Sequence, residues 1–291
     1  MNKFDQLFRQ YETLTNKSVS SEVNKIIKNN YSKNEEKSIY TKLLSFVDIT
    51  SLNTDDTVEK IVDLTQKINE FDDNFKVLPH PAAICVYPAF VSVVKDTLSE
   101  NLEIATVSGC FPHAQTFMEV KIAEVAMSVM EGATEIDTVI SVGKVLSGNF
   151  EEVYEELFEI KESCRGAKLK VILETGLLYD AEIIKKAAII SMAAGADFIK
   201  TSTGKTVQGA TLETAYIICN AIKEYNIKNG IKVGFKVAGG ISEVEDAVKY
   251  YTIVESVLGK EWLFPTLFRI GASRLVNNLL TEIEGRNVEY F

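Results

Sequence analysis

The sequence predicts an α/β fold, a single (β/α)8 TIM barrel with an N-terminal helical extension. Eight short apolar segments follow one another from residue 44 onward. Their starts lie roughly 20–40 residues apart, the room that a strand and its crossover helix need. The segments are rich in Val, Ile, Phe and Ala and nearly unbroken, as in parallel strands covered on both faces. No Pro-, Gly- or Ser-rich linker divides the chain. A doubly wound open sheet is the alternative, but no GxGxxG follows the first strand.

Taken in order, residues 1–40 are polar, with apolar positions at Phe4, Leu7, Phe8, Tyr11 and Leu14 and again at Val23, Ile26 and Ile27. Helical spacing fits both sets, so two helices are expected there, capping one end of the core or joining a dimer contact. The chain then divides into this extension and a barrel over 41–291. The expected strands are 45–48, 83–87, 104–108, 135–141, 169–174, 198–200, 233–237 and 268–270. Asn53 or Thr54 is expected to cap the helix carrying Val58, Ile61 and Val62. Thr116 and Glu119 read as a capping box ahead of a stripe at Val120, Ala123, Met127 and Met130. Asp180 is placed to cap the helix of Ile183, Ile184, Ala187 and Ile190. Ser242 and Glu245 read as a second box, ahead of Val244, Ala247, Val248 and Tyr251.

With 291 residues, 46% of them hydrophobic, the chain can bury a large core. Its net charge of -10 argues against a nucleic-acid partner, and an anionic substrate would need a local positive site. Cys85, Cys110, Cys164 and Cys219 have no regular spacing and suggest a reduced, cytoplasmic chain. No apolar run approaches the roughly 20 residues of a membrane span, and the first residues lack an apolar signal-peptide core. His80 and His113 form no metal-ligand spacing, so no metal is expected. Gly204-Lys205-Thr206 is not a P-loop, because Ile199 stands where that motif needs glycine.

In such a barrel, function collects at the C-terminal ends of the strands. Those ends carry Asp48, Cys85, Asp137, Glu174, Lys200 and Lys236, polar exceptions in apolar segments. Lys200 and Lys236 belong to consecutive strands, spaced roughly 4.8 Å apart. Burial and mutual repulsion both depress a lysine pKa and free an amine to attack a carbonyl. The alternative is one buried Lys–Asp pair and one lysine reaching solvent. Asp137 fits a proton shuttle or a simple counter-charge equally well. Asp48 and Glu174 read as structural, and Cys85, without an evident activator, as a core or pocket-lining residue. Gly204, Gly239, Gly240 and Gly271, with Ser273, follow the last three strands. Barrels often bind phosphate there through backbone N–H groups; the alternative is that these glycines merely permit tight turns.

The chain resembles the deoxyribose-phosphate aldolases over about residues 43–283. The resemblance rests on Phe198-Ile199-Lys200-Thr201-Ser202-Thr203-Gly204-Lys205, Gly234-Phe235-Lys236-Val237-Ala238-Gly239-Gly240 and Phe268-Arg269-Ile270-Gly271-Ala272-Ser273. The segments 47–53, 83–88 and 169–176 match as well. This similarity implies a metal-free class I aldolase with no cofactor. It would reversibly cleave 2-deoxy-D-ribose 5-phosphate to D-glyceraldehyde 3-phosphate and acetaldehyde. It implies Lys200 as the Schiff-base nucleophile, Lys236 as the second lysine that lowers its pKa, and Asp137 as acid/base partner. Substrate contacts are implied for Asp48, Thr50, Leu52, Cys85 and Thr203. Phosphate contacts are implied for Gly204, Lys205, Gly239, Gly240, Gly271 and Ser273. Two positions depart from the family pattern. Ser242 stands where many members have arginine, and Arg274 where many have a second serine, so Arg274 is expected to supply the displaced phosphate-site cation; the alternative is that Ser242 only caps its helix and Arg274 points to solvent. A homodimer is expected on resemblance alone. The competing readings are a lysine-dependent aldolase for another aldehyde, and a silent sugar-phosphate-binding protein. The intact set Lys200, Lys236 and Asp137 argues against the latter.

Overall fold

A computed structural model of the chain describes residues 3–206 and 208–291. Three helices come first: α1 (Lys3–Phe8), α2 (Asn16–Asn30) and α3 (Lys37–Leu44). The strands are β1 (Val47–Thr50), β2 (Ala83–Val86), β3 (Glu103–Ser108), β4 (Glu135–Val139), β5 (Lys168–Ile172), β6 (Phe198–Lys200), β7 (Gly234–Ala238) and β8 (Phe268–Ala272). Each pairs in parallel with the next, and β8 closes on β1. The helices between and after them are α4 (Val58–Asn69), α5 (Phe71–Asn74), α6 (Val91–Thr97), α7 (Met118–Glu131), α8 (Val142–Leu146), α9 (Phe150–Ser163), α10 (Ala181–Ala193), α11 (Leu212–Asn229), α12 (Val244–Leu258) and α13 (Leu275–Glu284).

Side chains alternate across each strand, so one parity faces the barrel interior. That parity holds Asp48 and Thr50 on β1, Glu135 and Asp137 on β4, Lys168 and Lys170 on β5, Lys200 on β6, Lys236 on β7 and Arg269 on β8. Barrel interiors are usually filled by layers of branched apolar side chains; here one layer is ionic. The opposite parity, including Ile49, Ile136, Val171, Ile199, Val237 and Ile270, is buried under the helices.

Several local expectations need correction. β1 runs two residues past Asp48, and β5 ends at Ile172, leaving Glu174 in the following turn with φ 52°. Asp180 does cap α10, accepting from the amides of Glu182 and Ile183 at 3.0 and 3.1 Å. Thr57 caps α4, while Asn53 bonds Asp56 instead. Neither capping box forms. α7 starts at Met118 and α12 at Val244, two residues after Thr116 and Ser242, too late for either hydroxyl to serve as N-cap. The Ser242 hydroxyl donates to Glu243. On α7 the expected core stripe faces outward: Val120, Met127 and Met130 are exposed, and Lys121, Val125 and Ser128 are buried. The charge of Lys121 concealed that face, because its Nζ is drawn inward by Glu156 at 2.7 Å and Ser141 at 3.1 Å.

The extension lies along the flank of the barrel rather than over an end of its core. Phe4 and Phe8 pack on Tyr154 and Phe150 of α9, and α2 lies against α11 and α12. Nearly buried Lys185 of α10 ties the connecting segment down through the Glu12 carbonyl and Glu224. A boundary at residue 40 falls inside α3. No helix of the described residues is long and apolar enough to cross a membrane.

Candidate active site

The C-terminal ends of β6, β7, β8 and β1 surround a pocket of about 440 Å³. Thr50, Leu52 and Asn53 form the β1 side, Lys200, Thr203, Gly204 and Lys205 the β6 side, and Ala238, Gly239, Gly240, Ile241 and Ser242 the β7 side. Gly271, Ala272, Ser273 and Arg274 complete it from β8. Gly239 and Gly240 turn with φ 95° and 82°, a region that disfavours other residues. A Cβ at Gly271 would lie 3.2 Å from the Lys236 side chain, so glycine there lets that lysine pass.

Beneath the pocket lies the ionic layer. Asp137 Oδ2 accepts from Lys200 Nζ at 2.7 Å and from Lys236 Nζ at 2.8 Å. Its other oxygen accepts from Lys170 at 2.9 Å. Lys236 also donates to Asp48 at 2.6 Å, and the second oxygen of Asp48 takes Arg269 at 2.6 Å. Glu135 closes the set, 2.5 Å from Lys170 and 3.0 Å from Arg269. Lys168 reaches Glu135 at 3.5 Å but is matched by Glu103 at 3.1 Å.

The charges of this layer do not balance. Asp48, Glu135 and Asp137 face Lys170, Lys200, Lys236 and Arg269, one cation too many for a buried cluster. Burial opposes ionisation of Asp137, but Lys170, Lys200 and Lys236 outweigh it and hold the carboxyl well below its ordinary range. Burial disfavours charge on Lys236 too, yet Asp137 and Asp48 together prevail and raise its pKa. Lys200 has only the shared Asp137, so burial and the Lys236 charge win and its pKa falls. The excess proton is therefore held least tightly on Lys200. Of the seven residues in the layer, only Lys200 lines the pocket. A buried amine brought toward neutrality beside a carboxylate can add to a carbonyl.

The other expected residues fall into two groups. Thr50, Leu52, Thr203, Gly204, Lys205, Gly239, Gly240, Gly271, Ser273 and Arg274 meet at the pocket. Asp48 and Cys85 are fully buried and do not line it. Asp48 is occupied by Lys236 and Arg269, and burial raises the Cys85 thiol. Sequence reasoning did not single out Lys170, Glu135 or Arg269. The available signal was a charge inside an apolar strand, which all three share with Lys200. The tail does not reach the pocket: Tyr290 donates to the Lys67 carbonyl at 2.7 Å and packs on Phe71 and Phe75.

Fold and pocket together define a TIM-barrel enzyme with an amine on its catalytic face. Residues 42–261 match the model of the DeoC/LacD family aldolases, and the chain belongs to that family. It is an aldolase, a carbon–carbon lyase. It is 44% identical to a Caenorhabditis elegans relative over 243 residues, 82% of this chain and 80% of that one. It is 39% identical to the deoxyribose-phosphate aldolase of Homo sapiens over 257 residues, 83% of this chain and 80% of that one. Among solved structures, the tetrameric deoxyribose phosphate aldolase of Aeropyrum pernix aligns at 27% identity with TM-score 0.65, covering 84% of this chain and 92% of that one.

Proposed function

We propose that this aldolase reversibly cleaves 2-deoxy-D-ribose 5-phosphate to D-glyceraldehyde 3-phosphate and acetaldehyde through a Schiff base on Lys200. The observation that carries the reading is the Lys200 amine. It lines the pocket, bonds Asp137 at 2.7 Å, and has a lowered pKa because of burial and Lys236. The human relative, 39% identical, is named a deoxyribose-phosphate aldolase.

The neutral amine of Lys200 adds to the C1 aldehyde, and the carbinolamine loses water to leave an iminium. A base takes the 3-hydroxyl proton, the C2–C3 bond breaks, and its electron pair moves toward the iminium nitrogen. Glyceraldehyde 3-phosphate departs and an enamine remains. Protonation at C2 and addition of water then release acetaldehyde and restore Lys200. Asp137 and Lys236 are the adjacent groups for these proton transfers, each worth about 10²–10⁴-fold. The iminium is the electron sink, so the proposal needs neither metal nor organic cofactor. The substrate's phosphate is assigned to the N–H-rich turns at Gly204, Gly239–Gly240 and Gly271–Ser273, with Lys205 and Arg274 as cations. The homodimer expected from the resemblance belongs to the same proposal, and sedimentation of the purified protein checks it.

The test is borohydride trapping with acetaldehyde and, separately, with deoxyribose 5-phosphate, followed by peptide mapping. The expected result is a stable adduct on Lys200, absent from Lys200→Leu. Folded protein that yields no adduct with either substrate would overturn the proposal.

A further inference from the structure

Among the described residues, two buried acids lie outside the ionic layer: Glu156, ion-paired with Lys121, and Glu174. Glu174 is 2% exposed, and no cation stands within ion-pair distance of it among the described residues. Burying a carboxylate without a counter-charge is costly unless donors satisfy it. Its donors all come from one loop. Thr203 Oγ1 donates at 2.5 Å, Thr206 Oγ1 at 3.2 Å and the Thr203 amide at 3.4 Å. The backbone of Glu174 is itself left-handed, at φ 52° and ψ 57°. A residue other than glycine is strained there, and such strain persists where the surroundings enforce it.

We propose that Glu174 is a positioning residue for the loop after β6, setting where Thr203, Gly204 and Lys205 stand in the pocket wall. The hydroxyl of Thr203 donates a hydrogen bond to Glu174 and accepts one from the Lys205 amide at 3.0 Å. Lys205 in turn crosses the pocket edge, its Nζ donating to the Leu52 carbonyl after β1. One carboxylate thus orients a chain of contacts from β5 across β6 to β1. Both of its oxygens are used, one for the Thr203 hydroxyl and one for the Thr203 amide and the Thr206 hydroxyl. An amide at this position has only one carbonyl oxygen and leaves part of the set without an acceptor. The Glu174 side chain hydrogen-bonds only the loop after β6 among the described residues and forms no ion pair with the ionic layer, so its influence falls on the phosphate end of the pocket rather than on the Lys200 amine.

This inference rests on the proposed function, and the experiment separates the two. In Glu174→Gln, KM for deoxyribose 5-phosphate should rise about tenfold, the scale of one charge-assisted hydrogen bond. KM for unphosphorylated deoxyribose and the rate of acetaldehyde trapping should stay within about twofold, a difference below the energy of one such bond. Thr203→Val should reproduce the KM change, and the double variant should show less than the sum of the two effects, because both remove one contact. If Glu174→Gln does not fold, Thr206→Val, which removes one donor from Glu174 and lies outside the pocket lining, carries the same comparison of phosphorylated with unphosphorylated sugar. An unchanged KM, an equal loss on both sugars, or additive effects would overturn the assignment. Failure of the native protein to trap acetaldehyde would sink the Schiff-base reading instead, whatever Glu174 does.

Discussion

Lys200 and Lys236 donate to the same oxygen of Asp137, at 2.7 and 2.8 Å. Sharing one acceptor places two amines in competition for one negative charge. Lys236 has a second carboxylate, Asp48, at 2.6 Å, and Lys200 has none. The asymmetry decides which amine stays charged: Lys236 keeps its proton, and Lys200, at the pocket, gives its own up more readily.

Removing the competitor should reverse that outcome. In Lys236→Leu the layer holds three carboxylates and three cations, so a protonated Lys200 completes the balance and has Asp137 Oδ2 to itself. The pKa of Lys200 should rise. Because the reactive form is the free amine, the acid limb of the trapping rate should move to higher pH. The measurement is a pH–rate profile for borohydride-trapped acetaldehyde, native against variant; an acid limb at the same pH would contradict the competition.

Asp137→Asn removes the charge that Lys170, Lys200 and Lys236 share. Breaking a buried pair from one side typically costs about 3–5 kcal/mol, since the partner charges remain buried. Unfolding in urea should show a loss of that order. Turnover should fall by about 10²–10⁴-fold, the usual worth of an acid/base group. A variant as stable as the native protein would mean the layer is neutralised some other way.

The layer also sets the acid limit of the fold. For Asp48 and Asp137, burial raises the pKa, but the surrounding cations win and hold both folded values below the reference of 3.8. A depressed folded pKa contributes stability that is present above the unfolded value and is lost as pH falls through the folded one. Thermal midpoints should therefore hold down to about pH 4 and drop steeply below it. Asp48→Asn should lower the midpoint at pH 7 and flatten this acid dependence. A curve for Asp48→Asn parallel to the native one would remove Asp48 from the account.

Much of this site is legible in the amino-acid sequence, for a physical reason. A charge at the end of an apolar strand stands out against its surroundings, and Asp137, Lys200 and Lys236 all do. The same rule covers Glu135, Lys170 and Arg269, and Lys170 and Arg269 stand opposite Asp137 and Lys236 in the strand register. Their role depends on which strands become neighbours, and barrel closure alone supplies that. The face of α7 was hidden for the opposite reason: buried Lys121 looks like a surface residue until Glu156, 35 positions away, is seen to meet it. Glu174 is visible as a polar strand end, but its left-handed backbone and its grip on Thr203 exist only in three dimensions.

Arg274 lines the pocket beside Ser273, opposite Lys205, whose amine is already engaged by the Leu52 carbonyl. With serine at 242, Arg274 is the cation lining the β8 side of the pocket, next to the turns to which the proposal assigns the phosphate. Arg274→Ala should raise KM for deoxyribose 5-phosphate about tenfold, as loss of one charge-assisted contact would. Steady-state kinetics with the phosphorylated sugar checks this, and an unchanged KM would return Arg274 to solvent.

Lys200 should cost the protein stability. Burial and Lys236 disfavour its charged form in the folded state, whereas the unfolded chain carries it freely. With the folded pKa below the unfolded one, the folded state binds fewer protons between the two values. Stability attributable to Lys200 therefore rises with pH through that window, and the penalty is full below the folded pKa. Lys200→Met keeps an unbranched side chain of similar length, removes the penalty and leaves three cations for three carboxylates. At neutral pH the variant should melt about 2–4 °C higher for each kcal/mol relieved, while forming no trapped adduct. Calorimetry of the two proteins decides it: a lower melting temperature in Lys200→Met would mean that the Asp137 contact outweighs the burial of the charge.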